Sequence, residues 1–71
     1  MAWVMVEQDR FYQIIGWHDV TMVVVGEYPY KTIFKLRRDS REVGFVQDGV
    51  TGEESKYYVD ADYDNGGNVN A

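Results

Sequence analysis

The residues of this sequence whose types and spacing could do chemistry begin with an adjacent histidine and aspartate. His18 beside Asp19 has the composition of a general base with an orienting carboxylate. Adjacent side chains on an extended chain point to opposite faces, however, and Ser40 and Ser55 lie in loop sequence without the surroundings of a nucleophile. The chain also has no cysteine. The sequence therefore predicts no enzyme and no catalytic residue, with His18 as a turn residue.

The second candidate is a run of alternating carboxylates near the end of the sequence. Asp60, Asp62 and Asp64 have the spacing of the first ligands of an EF-hand calcium loop. The match then fails, because Asn65 stands where that loop needs glycine and Ala71 where it needs glutamate. A single histidine and no cysteine exclude the usual closed zinc sites. We therefore expect no metal and no cofactor.

The third candidate is a basic segment, residues 31–41. Its basic residues are Lys31, Lys35, Arg37, Arg38 and Arg41. Cations interleaved with aromatic residues are the components of a single-strand nucleic-acid surface. A net charge of −5 is the reverse of the usual basic footprint, and Phe34 alternates away from the lysines. Direct nucleic-acid binding is therefore an alternative and not the first expectation.

The acidic segment, residues 48–64, has the opposite charge. In one interpretation the two segments are neighbouring strands whose charges form cross-strand pairs. In the other, the fold keeps them apart as two patches that steer charged partners. Carboxylates interspersed with tyrosines could then imitate the phosphates of a nucleic acid and occupy a protein that binds it.

The tyrosines carry the favoured functional prediction. Tyr28 and Tyr30 flank Pro29 in a loop, and Tyr57 adjoins Tyr58, so one of that pair must point away from the core of a sheet. Exposed tyrosines are typical of protein-binding surfaces. The predicted contact residues are Tyr28, Pro29, Tyr30 and Tyr57, with Asp60, Asp62 and Asp64 as an acidic rim.

These residues predict a small module that binds another protein. A compact acidic chain of this kind suits an accessory or inhibitory protein of a bacterium or phage. A structural homo-oligomer, such as a homodimer, is a further alternative, because self-association is a common way for small domains to hide apolar surface.

The elements that must position these residues are mainly strands. Residues 21–38 predict a β-hairpin with Thr32, Phe34 and Leu36 on one face. Lysines and an arginine occupy the other face, where Ile33 is the exception. Further strands are predicted at 2–6, 10–17, 42–47 and 55–59. A helix with Asp9 as its N-cap and Gly16 just past its end is the alternative for 10–16, and a short helix is the alternative for 53–59.

Length and composition predict one small soluble domain. The chain has 71 residues, of which 45% are hydrophobic and 15% aromatic. We expect an all-β fold: an antiparallel meander of five or six strands that forms a barrel or sandwich, with 2–6 and 55–59 as edges. Residues 1–60 are the predicted domain and 61–71 a flexible acidic tail. No apolar run approaches the ~20 residues of a membrane span, so we expect a cytoplasmic protein without membrane contact.

Overall fold

The computed structural model describes residues 2–26, 30–50 and 52–63, which form a five-stranded sheet and two helical elements. In chain order these are β1 (Trp3–Val6), α1 (Gln8–Ile15), β2 (Val20–Val25), β3 (Lys31–Leu36), β4 (Glu42–Gln47), β5 (Lys56–Asp60) and the 3-10 helix η1 (Ala61–Tyr63). The predicted all-β class is confirmed. The hairpin of 21–38 and the strands at 2–6, 42–47 and 55–59 are present close to their predicted bounds.

The sheet is antiparallel and open, with the strand order β1-β5-β4-β3-β2. Strands β2 to β5 form a meander of consecutive hairpins, and β1 pairs with β5. The first and last strands therefore pair as predicted, but they close no barrel, because β1 and β2 are the two edges. The prediction that residues 55–59 form an edge was wrong. The expected barrel or sandwich is instead one open sheet with α1 packed on one side.

Residues 10–16, predicted as strand, are mostly helix, so that prediction was wrong and its helical alternative is correct. The strand prediction gave too little weight to the spacing of Phe11, Ile14 and Ile15, which places all three on one side of the helix. All three are buried. An eight-residue helix is marginal by itself, and burial against the sheet supplies the missing stability.

The ends of α1 agree only in part with the helical alternative. The N-cap is Glu7 and not Asp9. The Glu7 carbonyl accepts the first helical hydrogen bond from the Phe11 N–H at 2.9 Å, and no side chain caps the helix. At the other end Gly16 is the C-cap, as the sequence alternative required.

The hydrophobic core lies between α1 and one side of the sheet. Its buried residues are Phe11, Ile14, Ile15, Phe34, Leu36, Val43, Val46, Val59 and Tyr63. The Phe11 ring joins the helix to the sheet, with its centroid 5.2 Å from that of Phe34 and 5.4 Å from that of Tyr57. Contacts of this kind contribute about 0.5–1.5 kcal/mol each beyond the burial of apolar area.

A β-bulge in β4 changes which of its residues reach the core. The register of β3 and β4 shifts between Phe34 and Lys35, and two successive residues, Val43 and Gly44, are buried. Simple alternation along β4 would put Val43 and Phe45 on one face. The extra residue of the bulge breaks that alternation, so Val43 lies in the core and Phe45 on the opposite side of the sheet.

The folded part of the chain extends beyond the predicted domain boundary at residue 60. Tyr63 in η1 is buried, and the Ala61 N–H donates to the Ala2 carbonyl at 2.9 Å. Residues 61–63 therefore belong to the domain. The rest of the predicted tail, 64–71, lies outside the described residues.

Candidate binding surface on the open sheet face

The strand residues that alternate with the core positions form the face of the sheet opposite α1. Directly opposed residues in antiparallel strands have their side chains on the same face, so the register assigns each side chain. Phe34 and Val46 are on the helix side, whereas Lys31, Ile33 and Phe45 are on the other. None of the buried core residues of the described chain belongs to this second side. We call it the open face.

One apolar row crosses the open face from edge to edge. Met5 lies opposite Tyr58, Tyr58 opposite Phe45, Phe45 opposite Ile33, and Ile33 opposite Val23. Each of the five strands contributes one residue. The end residues, Met5 and Val23, are 63% and 37% exposed. We call these five residues the apolar row.

The centre of the apolar row is aromatic and ordered by ring contacts. Phe45 and Tyr58 are stacked, with centroids 4.8 Å apart and planes inclined by 18°. Trp3 meets Phe45 edge to face at 5.0 Å, and Lys31 Nζ lies 4.5 Å from the Phe45 centroid. The rings therefore hold one another in place, which lowers the entropy lost when a partner binds.

Charged residues flank the apolar row, and lysine predominates among them. On one side Lys31 and Lys56 lie opposite Gln47. On the other, Lys35 lies opposite Glu42, and the buried Asp60 lies opposite Trp3. This part of the molecule carries more positive than negative charge, although the whole chain has a net charge of −5. The open face thus combines an apolar centre with a basic rim.

The predicted tyrosine anchors are not part of this surface. Tyr30 is 47% exposed at the start of the β3 segment, and Tyr28 and Pro29 lie outside the described residues. Tyr57 is on the helix side, with its ring 6.0 Å from that of Tyr12. Burial, followed by the proximity of Tyr12 and acidic side chains, raises the pKa of the Tyr57 phenol. Its neighbour Tyr58 is therefore the member of the pair that points away from the core.

The predicted acidic rim is contradicted at one of its three residues, Asp60. Asp60 is only 1% exposed, so it cannot be a rim residue. Its Oδ1 accepts the Asp62 N–H at 3.0 Å at the start of η1, and its Oδ2 has no hydrogen-bond partner among the described residues. Asp62 is exposed and Asp64 lies outside the described residues. Within the described ranges no group of three histidine or carboxylate side chains could hold a metal ion.

The predicted basic segment divides between two places. Lys31 and Lys35 are on the open face. The arginines lie beside acids: Arg37 by Asp19 at 3.1 Å, Arg38 by Asp39 at 3.7 Å and Arg41 by Asp62 at 2.7 Å. Because β4 separates β3 from β5, the basic and acidic segments are not neighbouring strands, and the predicted cross-strand pairing was wrong. Only the ion pair between Arg41 and Asp62 joins them among the described salt bridges.

His18 and Asp19 do not form the pair that their adjacency suggested. Asp19 accepts a hydrogen bond from Arg37 Nε, whereas the His18 ring packs edge to face on Tyr63 at 5.0 Å. His18 lines a cavity of about 460 Å³ together with Trp17, Leu36 and Arg38. Its Nε2 is buried with no hydrogen-bond partner among the described residues. His18 is therefore a packing residue at the end of the sheet.

This environment predicts a loss of stability on acidification. Burial first, and then Arg38, lower the pKa of His18 below its usual 6.5. Below pH 6.5 the unfolded chain therefore binds more protons at His18 than the folded protein does. The contribution of His18 to the free energy of unfolding is fully present above pH 6.5 and is lost as the pH falls from there towards the lowered pKa. Urea unfolding between pH 8 and 5 should show a steeper loss for the wild type than for His18→Gln. Parallel curves for the two proteins would contradict this reading.

The open face is the surface that the sequence analysis missed. Its signal was Ile33, which interrupts the polar face of β3 and was treated as an exception. The register shows that Ile33 joins Phe45 and Val23 in the apolar row.

Comparisons with models of known families, with curated proteins and with solved structures found no match. No activity can therefore be carried over from a relative. No helix in the described part of the chain has the length and apolar character needed to cross a membrane.

Proposed function

We propose that this chain is a non-enzymatic module that binds another protein through the open face. The observation that carries the proposal is the apolar row, which crosses all five strands. Contiguous exposed apolar surface rimmed by polar residues is characteristic of interaction sites. The proposed anchors are Met5, Ile33, Phe45 and Tyr58, in place of the loop tyrosines.

The charge around the row defines the chemistry of the partner. Lys31, Lys35 and Lys56 lie on its two sides, with Glu42 as their counterpart. Complementary charge at the rim of an interface steers association and selects among partners. The partner surface should therefore have an apolar centre surrounded by carboxylates.

The ring geometry favours a protein over a single-stranded nucleic acid. Stacking of bases requires aromatic faces that are open to the nucleic acid. The Phe45 ring already has Tyr58 stacked on it, the Trp3 ring nearly perpendicular to it at 5.0 Å, and Lys31 Nζ 4.5 Å from its centroid. Aromatic and aliphatic side chains of a protein can pack on such a cluster without displacing its members.

Two methionines on opposite edge strands provide a matched test. Met5 in β1 belongs to the apolar row, whereas Met22 in β2 faces the helix side, and the two are 63% and 65% exposed. Met5→Glu should weaken binding at least tenfold, because it adds a charge that opposes both the apolar row and an acidic partner. Met22→Glu should change affinity by less than twofold.

The measurement begins with affinity capture from the source cells, run with and without nuclease, and continues with titration calorimetry on the purified partner. Support requires a protein that binds the wild type and Met22→Glu directly and binds Met5→Glu poorly. Equal binding of all three proteins would reject the open face. If the captured partner is a nucleic acid that disappears on nuclease treatment, the proposal that the partner is a protein is rejected.

A further inference from the structure

Strand β2 is an edge that has few of the protections usual for edge strands. It pairs with β3 in a regular register along its six residues and has no other strand partner among the described residues. Its sequence, VTMVVV, has no charge and no proline. Exposed edges with these properties readily pair with another strand.

The helix side of β2 also exposes apolar side chains. Met22 lies opposite Phe34 and Val24 opposite Thr32, so both methionine and valine are on the side that carries α1. They are nevertheless 65% and 64% exposed. The helix makes its main sheet contacts with β5, on the far side of β4 and β3, and leaves this end of the sheet uncovered.

We propose that β2 pairs antiparallel with β2 of a second copy of this chain, and that this joins the two sheets across a two-fold axis at Val23. In this register Val23 lies opposite Val23 of the second copy, and Met22 lies opposite Val24. The four exposed side chains at positions 22 and 24 then cover one another on the helix side. This inference stands independently of the proposed function.

The strand itself favours a second copy over an unrelated strand. A two-fold interface presents the same patch twice, so the patch must be complementary to itself. Within β2 this register places valines, methionine and threonine opposite one another, and the strand itself contributes no charge to the interface, although each chain carries −5.

The two-fold axis at Val23 also makes the open faces continuous. It stands perpendicular to the sheet, so both open faces lie on the same side of the dimer. Val23 ends the apolar row of each copy, and the two rows meet end to end. A single pair of edge strands buries less than the ~800 Å² per partner of a standard interface, so we expect a dimer that dissociates on dilution.

The first test is sedimentation of the full chain over a concentration series from about 1 µM to 1 mM, the range expected for a small interface. The wild type should shift from monomer to dimer. Met22→Glu should weaken dimerisation at least tenfold, whereas Met5→Glu, with matched exposure on the other edge, should leave it within twofold. A wild type that stays monomeric, or equal losses for the two variants, would overturn the proposal.

The second test reports the register. The chain has no cysteine, so Val23→Cys introduces a single thiol, which would face its copy at a Cα separation of about 5 Å, within disulfide range. Val25→Cys lies on the same face, but position 25 would oppose Thr21, and the two thiols would be roughly 13 Å apart along the strands. Under a mild oxidant the first variant should cross-link at least tenfold faster. Comparable rates would exclude this register.

These outcomes are separate from those of the proposed function. Loss of dimerisation in Met22→Glu, with partner binding intact in that variant and weakened in Met5→Glu, supports both proposals. A monomeric wild type that still loses its partner in Met5→Glu removes the dimer alone. A dimeric wild type whose partner binding is insensitive to Met5→Glu removes the open-face assignment alone.

Discussion

Phe11→Ala is expected to remove a large part of the protein's free energy of unfolding at 25 °C. The Phe11 side chain is fully buried, and its ring lies 5.2, 5.4 and 5.3 Å from those of Phe34, Tyr57 and Tyr12. Removing a buried phenylalanine costs about 3–5 kcal/mol. A chain of this length has a total free energy of unfolding of roughly 4–10 kcal/mol, so this one side chain accounts for much of it.

Urea unfolding followed by tryptophan fluorescence measures this loss, and Tyr12→Ala is the control. Tyr12 is the next residue of α1 but is 51% exposed, and its ring contacts those of Phe11 and Tyr57. Its truncation should therefore cost about 1–2 kcal/mol, clearly less than that of Phe11. Similar losses for the two variants would show that the ring of Phe11 is not the link between the helix and the sheet.

Gly44→Ala is expected to cost about 1–3 kcal/mol, the usual range for overpacking a core. A Cβ at position 44 would lie 2.7 Å from the Tyr58 carbonyl oxygen and 3.0 Å from Phe11 Cε1. The carbonyl belongs to the backbone of β5 and cannot move without disturbing the β4–β5 pairing. The neighbouring strands would therefore have to separate locally.

The double variant Phe11→Leu with Gly44→Ala tests that cause. The smaller side chain relieves the contact with position 11 and leaves the contact with the Tyr58 carbonyl. Adding Gly44→Ala to the Phe11→Leu protein should therefore cost most of the stability that Gly44→Ala costs in the wild type. Full rescue would assign the clash to the ring and not to the backbone.

The strands that were predicted correctly are those in which an alternating pattern or an apolar run is bounded by turn residues. In β3, Phe34 and Leu36 were correctly placed on one face by their alternation with charged residues, and both are buried. The helix was missed because its short apolar spacing competes with a strand pattern locally, and the burial of Phe11 depends on residues far away in the chain. Local propensity could not decide between the two.

The candidate site was harder to predict than the fold. The position of Phe45 depends on the bulge, and Gly44 within a strand was the only local sign of it. Asp60 was taken as exposed because acidic residues usually are, whereas at the end of β5 it is buried and its Oδ1 accepts the Asp62 N–H. The apolar row itself requires the pairing of all five strands, which no single segment specifies.

The strand order has a consequence for the entropy of the folding chain. The hairpin of β2 and β3 closes between Val25 and Lys31, which are close together in the sequence. The pairing of β1 with β5 instead joins Val6 to Tyr57, which are far apart in the sequence. Closing the longer loop costs about 2 kcal/mol more in chain entropy than closing the shorter one if the intervening chain is unstructured. Helix α1 lies within that span and anchors Phe11 on the meander, so its docking shortens the free loop that remains. The helix thereby does for β1 what the short hairpin connections do for the other strands.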